Sequence, residues 1–152
     1  MTPSEMRAKT IIDRIGIVRS MLDNLRKIPL GSLEEFTSDR RNAPAAESLL
    51  RRALEALMDL GRHILAKGFG RGVSEYKKVG TELGEVGVLG RDEATLFRKM
   101  AGYRNRMVHL YDEVTTEELY QICAEHLDDF DTIIDPIMTW LRQNPEKLDT
   151  EI

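Results

Sequence analysis

Apolar residues recur along this chain at three- and four-residue intervals almost from end to end. Ile11, Ile15, Val18, Leu22 and Leu25 form the first such line, a spacing that keeps all five on one face of a helix. Thr2, Pro3 and Glu5 read as its N-cap, first helical residue and capping-box acid, and Pro29 to Gly31 as its end. Ser32 with Glu35 forms a second capping box, for a short helix carrying Leu33 and Phe36. After the break at Asn42, Ala43 and Pro44, the line Leu50, Leu54, Leu57, Gly61 and Ile64 predicts a long helix. Its alanines and Gly61 would let a neighbour approach closely, and Gly68, Gly70 and Gly72 stop it. Tyr76, Val79, Leu83 and Val86 mark a further helix, with glycines at 84, 87 and 90 giving it a loose end.

Asp92 is placed to cap the next helix, whose stripe is Leu96, Met100, Tyr103 and Met107, with Phe97, Ala101 and Val108 on the adjoining line. Arg104 falls at the margin of this apolar surface, where a charge is costly unless it meets an acid, a cleft or a partner. Thr115 with Glu118 starts a new helix, so that residues 110–114 form a short connection. Leu119, Ile122, His126, Phe130, Ile133, Ile137 and Trp140 then share one side of a last helix that Pro136 should kink. Residues 143–152 read as a polar, frayed tail. No stretch alternates with period two for long enough to demand a sheet. The expected fold is all-α: one domain over 1–152, an antiparallel bundle of four main helices with one or two short extra ones.

Composition adds exclusions. The 152 residues are 41% hydrophobic and 32% charged, ordinary for a globular domain. No segment reaches the uncharged length of about 18 residues that would cross a bilayer, and the amino-terminal residues lack the apolar run of a signal peptide, so no membrane association and a cytoplasmic location are expected. The single cysteine, Cys123, excludes an intrachain disulfide and reads as a buried thiol.

The net charge of −4 is unevenly divided. Residues 1–111 carry 20 Lys/Arg against 14 Asp/Glu, and residues 112–152 carry 2 against 12, so the first part is +6 and the second −10. Between Arg91 and His109 five cations face two acids, enough for local phosphate attraction in an acidic molecule. Arg98 and Lys99 in that run read as solvated helix-face charges.

The richest chemistry lies in Arg104-Asn105-Arg106-Met107-Val108-His109-Leu110-Tyr111. A guanidinium offers a planar fork of donors that matches phosphate oxygens and stays charged. An imidazole can take a proton from a ribose 2′-hydroxyl or return one to the departing oxygen. Together they suffice for RNA cleavage without a metal or other cofactor, whereas in the plainer alternative His109 caps a helix end and Tyr111 packs. On an ideal helix Arg104 and Tyr111 share a face while His109 points roughly 140° away. A joint site therefore requires the helix to end near residues 108–110.

The pattern R-x4-H-x-Y, with polar Asn105 directly after the arginine, resembles the signature of the HEPN ribonucleases in the form seen in the HepT toxins. The resemblance extends to Ser32–Phe36, to Ala45–Gly70, to Tyr76–Gly90 followed by Met100-Ala101-Gly102-Tyr103, and to Glu118-Leu119-Tyr120. It implies a HEPN-like helical fold and a toxin that cuts RNA. It further implies Arg104 and His109 as catalytic pair, Asn105 as orienting residue, and a homodimer that brings two motifs to one cleft. It implies, too, an antitoxin resembling a minimal nucleotidyltransferase, which places AMP on Tyr111. Arg106 is an additional candidate RNA contact, at a position the family pattern does not fix. The competing reading is a non-catalytic HEPN-type module that binds nucleotide or a protein partner.

Other constellations are weaker. Cys123 and His126 stand at i,i+3 without further soft ligands, and His126 on the apolar line reads as a core histidine. His63 reads as interior or interface packing, and Asp128, Asp129 and Asp131 as a solvated helix face. There is no P-loop, zinc-protease helix or nucleophile elbow.

Overall fold

The structure is a computed structural model that describes residues 6–109 and 114–148. Among them are seven α-helices: α1 (Ala8–Arg26), α2 (Leu33–Thr37), α3 (Asn42–Phe69), α4 (Tyr76–Glu85), α5 (Arg91–Val108), α6 (Thr116–Glu125) and α7 (Asp129–Gln143), followed by one 3-10 turn at Pro145–Lys147. The four longest are the main helices expected from the apolar lines. Three shorter ones accompany them rather than one or two.

The 28-residue α3 is the central element, because it is apolar on more than one side. Leu50, Leu54, Leu57, Gly61 and Ile64 are all buried, and so are Ala46, Ala53, Met58, Leu60 and Leu65. α1 lies along one flank of α3 with Ile11, Ile15, Val18, Leu22 and Leu25 turned inward, and α4 and α5 pair on another. A Cβ added at Gly61 would stand 3.0 Å from both Leu83 and Val79, so the missing side chain sets the α3–α4 separation. α3 ends at Gly70, whose left-handed φ of 65° lets its N–H and that of Arg71 return to the carbonyl of Leu65.

Several boundaries differ from those the sequence suggests. Arg7 is extended at φ −89°, ψ 132°, so α1 starts at Ala8. The capping box read at Thr2 to Glu5 lies outside the described residues. α4 is not loose at its end: the N–H groups of Val88 and Leu89 both return to the Leu83 carbonyl, and both side chains are buried. At the start of α5 the cap is Gly90 rather than Asp92, with Glu93 reaching back to accept from the Gly90 N–H at 2.7 Å. The core face of α5 is Ala94, Phe97, Met100 and Ala101, while Leu96, Tyr103 and Met107 pack half-buried at its margin. The inward line is thus rotated toward Phe97 and Ala101, and Arg104 continues it.

Ser32 and Thr115 each accept from the N–H three residues on, Glu35 at 3.0 Å and Glu118 at 3.1 Å, as the capping patterns predict. The single last helix expected from the Leu119–Trp140 line is two helices. The chain turns at His126 to Asp128, which buries Leu127 as well as Ile122 and Phe130, more than one straight face could bury. His126 is therefore a half-exposed turn residue, 3.6 Å from Asp129, and not a core histidine. Asp131 and Asp128 reach Arg19 and Arg26 of α1 at 3.5 and 3.7 Å, so this acidic face ties α7 to α1. Cys123 is buried, and burial pushes its thiol up to about 12.

The expected frayed tail is docked as far as it is described. Asn144 donates to the Trp140 carbonyl, Lys147 donates to the Gly68 carbonyl and lies over Phe69, and Leu148 packs against the core. Among the described residues no helix is long and apolar enough to cross a membrane.

Candidate active site

Arg104 leaves the core-facing line of α5 toward α3, with a quarter of its side chain exposed. Its Nε and Nη2 both donate to one oxygen of Glu55, at 3.1 and 2.9 Å. The other Glu55 oxygen accepts from Arg51, one turn earlier on α3, at 2.8 Å. The charge that the sequence placed at an apolar margin has therefore met an acid, itself braced from behind. Arg104 Nη1 makes only a long contact among the described residues, 3.4 Å to Asn105 Oδ1. The guanidinium is held by one edge and offers the other.

Tyr76, at the start of α4, supplies a platform. The guanidinium carbon of Arg104 lies 4.8 Å from the Tyr76 ring centroid, and that of Arg62 lies 5.5 Å from it. These distances suit cation–π attraction. The Tyr76 hydroxyl donates to Asp59 Oδ1 at 2.9 Å, and the same oxygen accepts from Arg62 at 2.6 Å. Burial, reinforced by the Asp59 carboxylate, raises the Tyr76 phenol above its usual range, and the two arginines oppose that shift. Beside this cluster is a cavity of about 340 Å³, with Arg62, Ser74, Tyr76, Lys77, Arg104 and Asn105 on its wall. That volume is at the small end of ligand pockets.

α5 ends at Val108, and His109 is exposed with extended backbone, φ −85° and ψ 130°. The helix stops where a site shared by Arg104 and His109 requires. Tyr111 lies outside the described residues. Arg106, the candidate RNA contact, has its fork filled by Glu118, both contacts at 2.7 Å, which ties α5 to α6. Arg98 turns to the hydroxyl of Thr95 at 3.1 Å, and Lys99 lies over Tyr103. Sequence reasoning missed Glu55, Asp59, Arg62 and the role of Tyr76. A signal existed: Arg51, Glu55, Asp59 and Arg62 recur at helical intervals beside the apolar line of α3, a polar stripe on a helix with little free surface.

Comparison with known proteins identifies the family of the chain. The family described as "Ribonuclease HepT-like" matches residues 18–137, which include the α3 stripe, Tyr76 and the whole motif. The chain belongs to the HepT-like ribonuclease family. Among HepT-like relatives, a tRNA nuclease HepT of Aphanizomenon flos-aquae is 26% identical over 129 residues, 84% of this chain and 87% of that protein. An mRNA nuclease HepT of Shewanella oneidensis is 25% identical over 128 residues, 84% of this chain and 95% of that one. Of solved structures, a tri-AMPylated Shewanella oneidensis HEPN toxin in complex with an MNT antitoxin superposes with a TM-score of 0.77 at 24% identity, covering 86% of this chain and 97% of that one. A cytosolic protein of unknown function from Bacillus subtilis, YutE, has the same fold at a TM-score of 0.75, 18% identity and 95% coverage of each chain.

Proposed function

We propose that this HepT-like chain is the toxin of a toxin–antitoxin pair, an endoribonuclease in which Arg104 and His109 act on the RNA phosphodiester. The observation that carries the reading is the edge-held Arg104 beside a cavity, on a helix that ends one residue before His109. The ribose 2′-oxygen attacks the adjacent phosphorus and the 5′-oxygen departs, leaving a 2′,3′-cyclic phosphate and a 5′-hydroxyl. The free edge of Arg104 takes the charge that develops on the phosphoryl oxygens. His109 removes the 2′-proton or supplies one to the leaving oxygen, and Asn105 orients the substrate or the histidine. This chemistry needs two proton carriers and the motif has one histidine, so the active species is a homodimer with two motifs at a shared cleft. Arg106 serves as a brace to α6, since RNA contact would require it to leave Glu118.

Tyr111 is the site of control. Its phenolic oxygen attacks the α-phosphorus of ATP on a nucleotidyltransferase antitoxin, pyrophosphate leaves, and the attached AMP brings negative charge and bulk to the RNA site. Support comes from the tri-AMPylated state and the MNT partner of the Shewanella toxin. Location in the cytoplasm accords with both.

The test is incubation of the purified, unmodified protein with RNA in the presence of a chelator. The parental chain is expected to cut, Arg104→Ala and His109→Ala to be inactive while keeping helical content, and their mixture to regain activity. Cleavage by either single variant at the parental rate would overturn the assignment. Co-expression with the antitoxin should add AMP mass to the parental chain and not to Tyr111→Phe.

A further inference from the structure

The wall of the cavity beside Arg104 carries two further cations that the cleavage chemistry does not use. Arg62 and Lys77 stand there, from α3 and α4. Asp59 engages only the Nη2 of Arg62, and among the described residues no partner is found for its Nε or Nη1. Lys77 is exposed and forms no ion pair among the described residues. Its stem lies across the motif helix, since a Cβ added at Gly102 would come 3.8 Å from Lys77 Cε, one turn before Asn105. The one carboxylate on the cavity wall, Glu75, is 68% exposed and turned toward Lys78 at 3.8 Å. Glu55 and Asp59 are occupied in holding Arg104 and Arg62.

The two arginines are mounted alike. Glu55 and Asp59, one turn apart on α3, each brace a guanidinium, and both guanidinium groups lie over the same Tyr76 ring. Distances of 4.8 and 5.5 Å to one centroid limit the separation of the two guanidinium carbons to about 10 Å. The ring is engaged by the arginines, so this part of the cavity wall offers positive charge and hydrogen-bond donors rather than a surface for a base. Such a wall recognises phosphate without regard to sequence.

We propose that Arg62 and Lys77 form a phosphate subsite for the phosphodiester next to the one being cut, so that the RNA backbone is gripped at two successive positions. The inference rests on the nuclease reading for its choice of ligand, and its test is a binding measurement that does not need cleavage. A labelled single-stranded RNA is titrated with the full-length His109→Ala chain over a series of salt concentrations. In that background Arg62→Ala and Lys77→Ala should each weaken binding about three- to tenfold and lower the slope of log affinity against log salt by about 0.7, the single-strand value per phosphate contact. Arg62→Lys should retain most of the affinity, and the remote Lys9→Ala should change neither quantity. If Arg62→Ala loses helical content, the surface substitution Lys77→Ala decides alone. Unchanged affinity and slope in both variants, an equal loss in Lys9→Ala, or no RNA binding by the parent would overturn the subsite. RNA binding with the expected slopes but no cleavage by the parental His109 chain would sink the nuclease reading and leave the subsite standing.

Discussion

Removing Glu55 tests whether the edge-held Arg104 matters to both the fold and the chemistry. Glu55→Ala leaves Arg104 without its acid at a place where only 26% of the arginine side chain and 24% of the glutamate are exposed. Breaking a fully buried ion pair from one side costs about 3–5 kcal/mol. Here a quarter of each side chain reaches water, and Arg51, at 35% exposure, can turn outward, so a loss of about 2 kcal/mol is expected. For a chain of this size that lowers Tm by roughly 4–8 °C. A double-mutant cycle with Arg104→Ala, read by urea unfolding, should return a coupling of about 1–2 kcal/mol, because the double variant no longer contains the orphaned charge. Cleavage should fall mainly in kcat, by about tenfold or more, since a guanidinium free to swing is misplaced in the transition state. Glu55→Gln, which keeps an acceptor oxygen, should lie between the two. A coupling below about 0.5 kcal/mol, or an unchanged kcat in Glu55→Ala, would refute the idea that Glu55 positions Arg104.

Two further expectations concern packing and pH. A Cβ at Gly80 would stand 2.7 Å from the fully buried Phe97 ring, whose far edge already approaches Gly61, whereas one at exposed Gly16 meets nothing within 4 Å. Gly80→Ala should therefore destabilise by about 1–3 kcal/mol in urea unfolding while Gly16→Ala stabilises by up to about 1 kcal/mol, and equal effects would contradict the close α4–α5 contact. His63 has a buried, unpartnered Nε2, and burial, with Arg14 and Lys67 nearby, lowers its pKa. Below the ordinary histidine value of 6.5 the unfolded chain takes up this proton before the folded one, so stability falls as pH drops from neutrality through that value toward the folded pKa. Urea midpoints of the parental chain and His63→Gln at pH 7.5 and 5.5 should show a smaller pH dependence in the variant, and identical dependence would exclude His63 as its source.

Local sequence determined the helices and much of their inward faces. The lines in α1 and α3 are buried as read, because apolar residues repeated at helical spacing leave water only by turning toward a core. Caps that depend on a side chain three residues from a backbone N–H, at Ser32 and Thr115, were equally legible. The end of α5 near Val108 was legible as well, through the Thr115–Glu118 capping box, which leaves residues 110–114 as a connection. Periodicity could not divide α6 from α7. A three-residue turn that buries Leu127 leaves the apolar spacing almost intact, and the benefit arises only when α3 and α5 are there to be covered. Nor could it choose the inward line of α5, where two adjoining apolar lines compete and the gap left by Gly61 and Gly80 accepts Phe97. The partners of Arg104 were beyond any local pattern, for Glu55 lies 49 residues away and Tyr76 belongs to a third helix. An isolated sequence motif specifies which groups are available for chemistry. Only the packing of α3, α4 and α5 decides which edge of a guanidinium is held and which is left open, because that depends on through-space contacts between residues far apart in the chain.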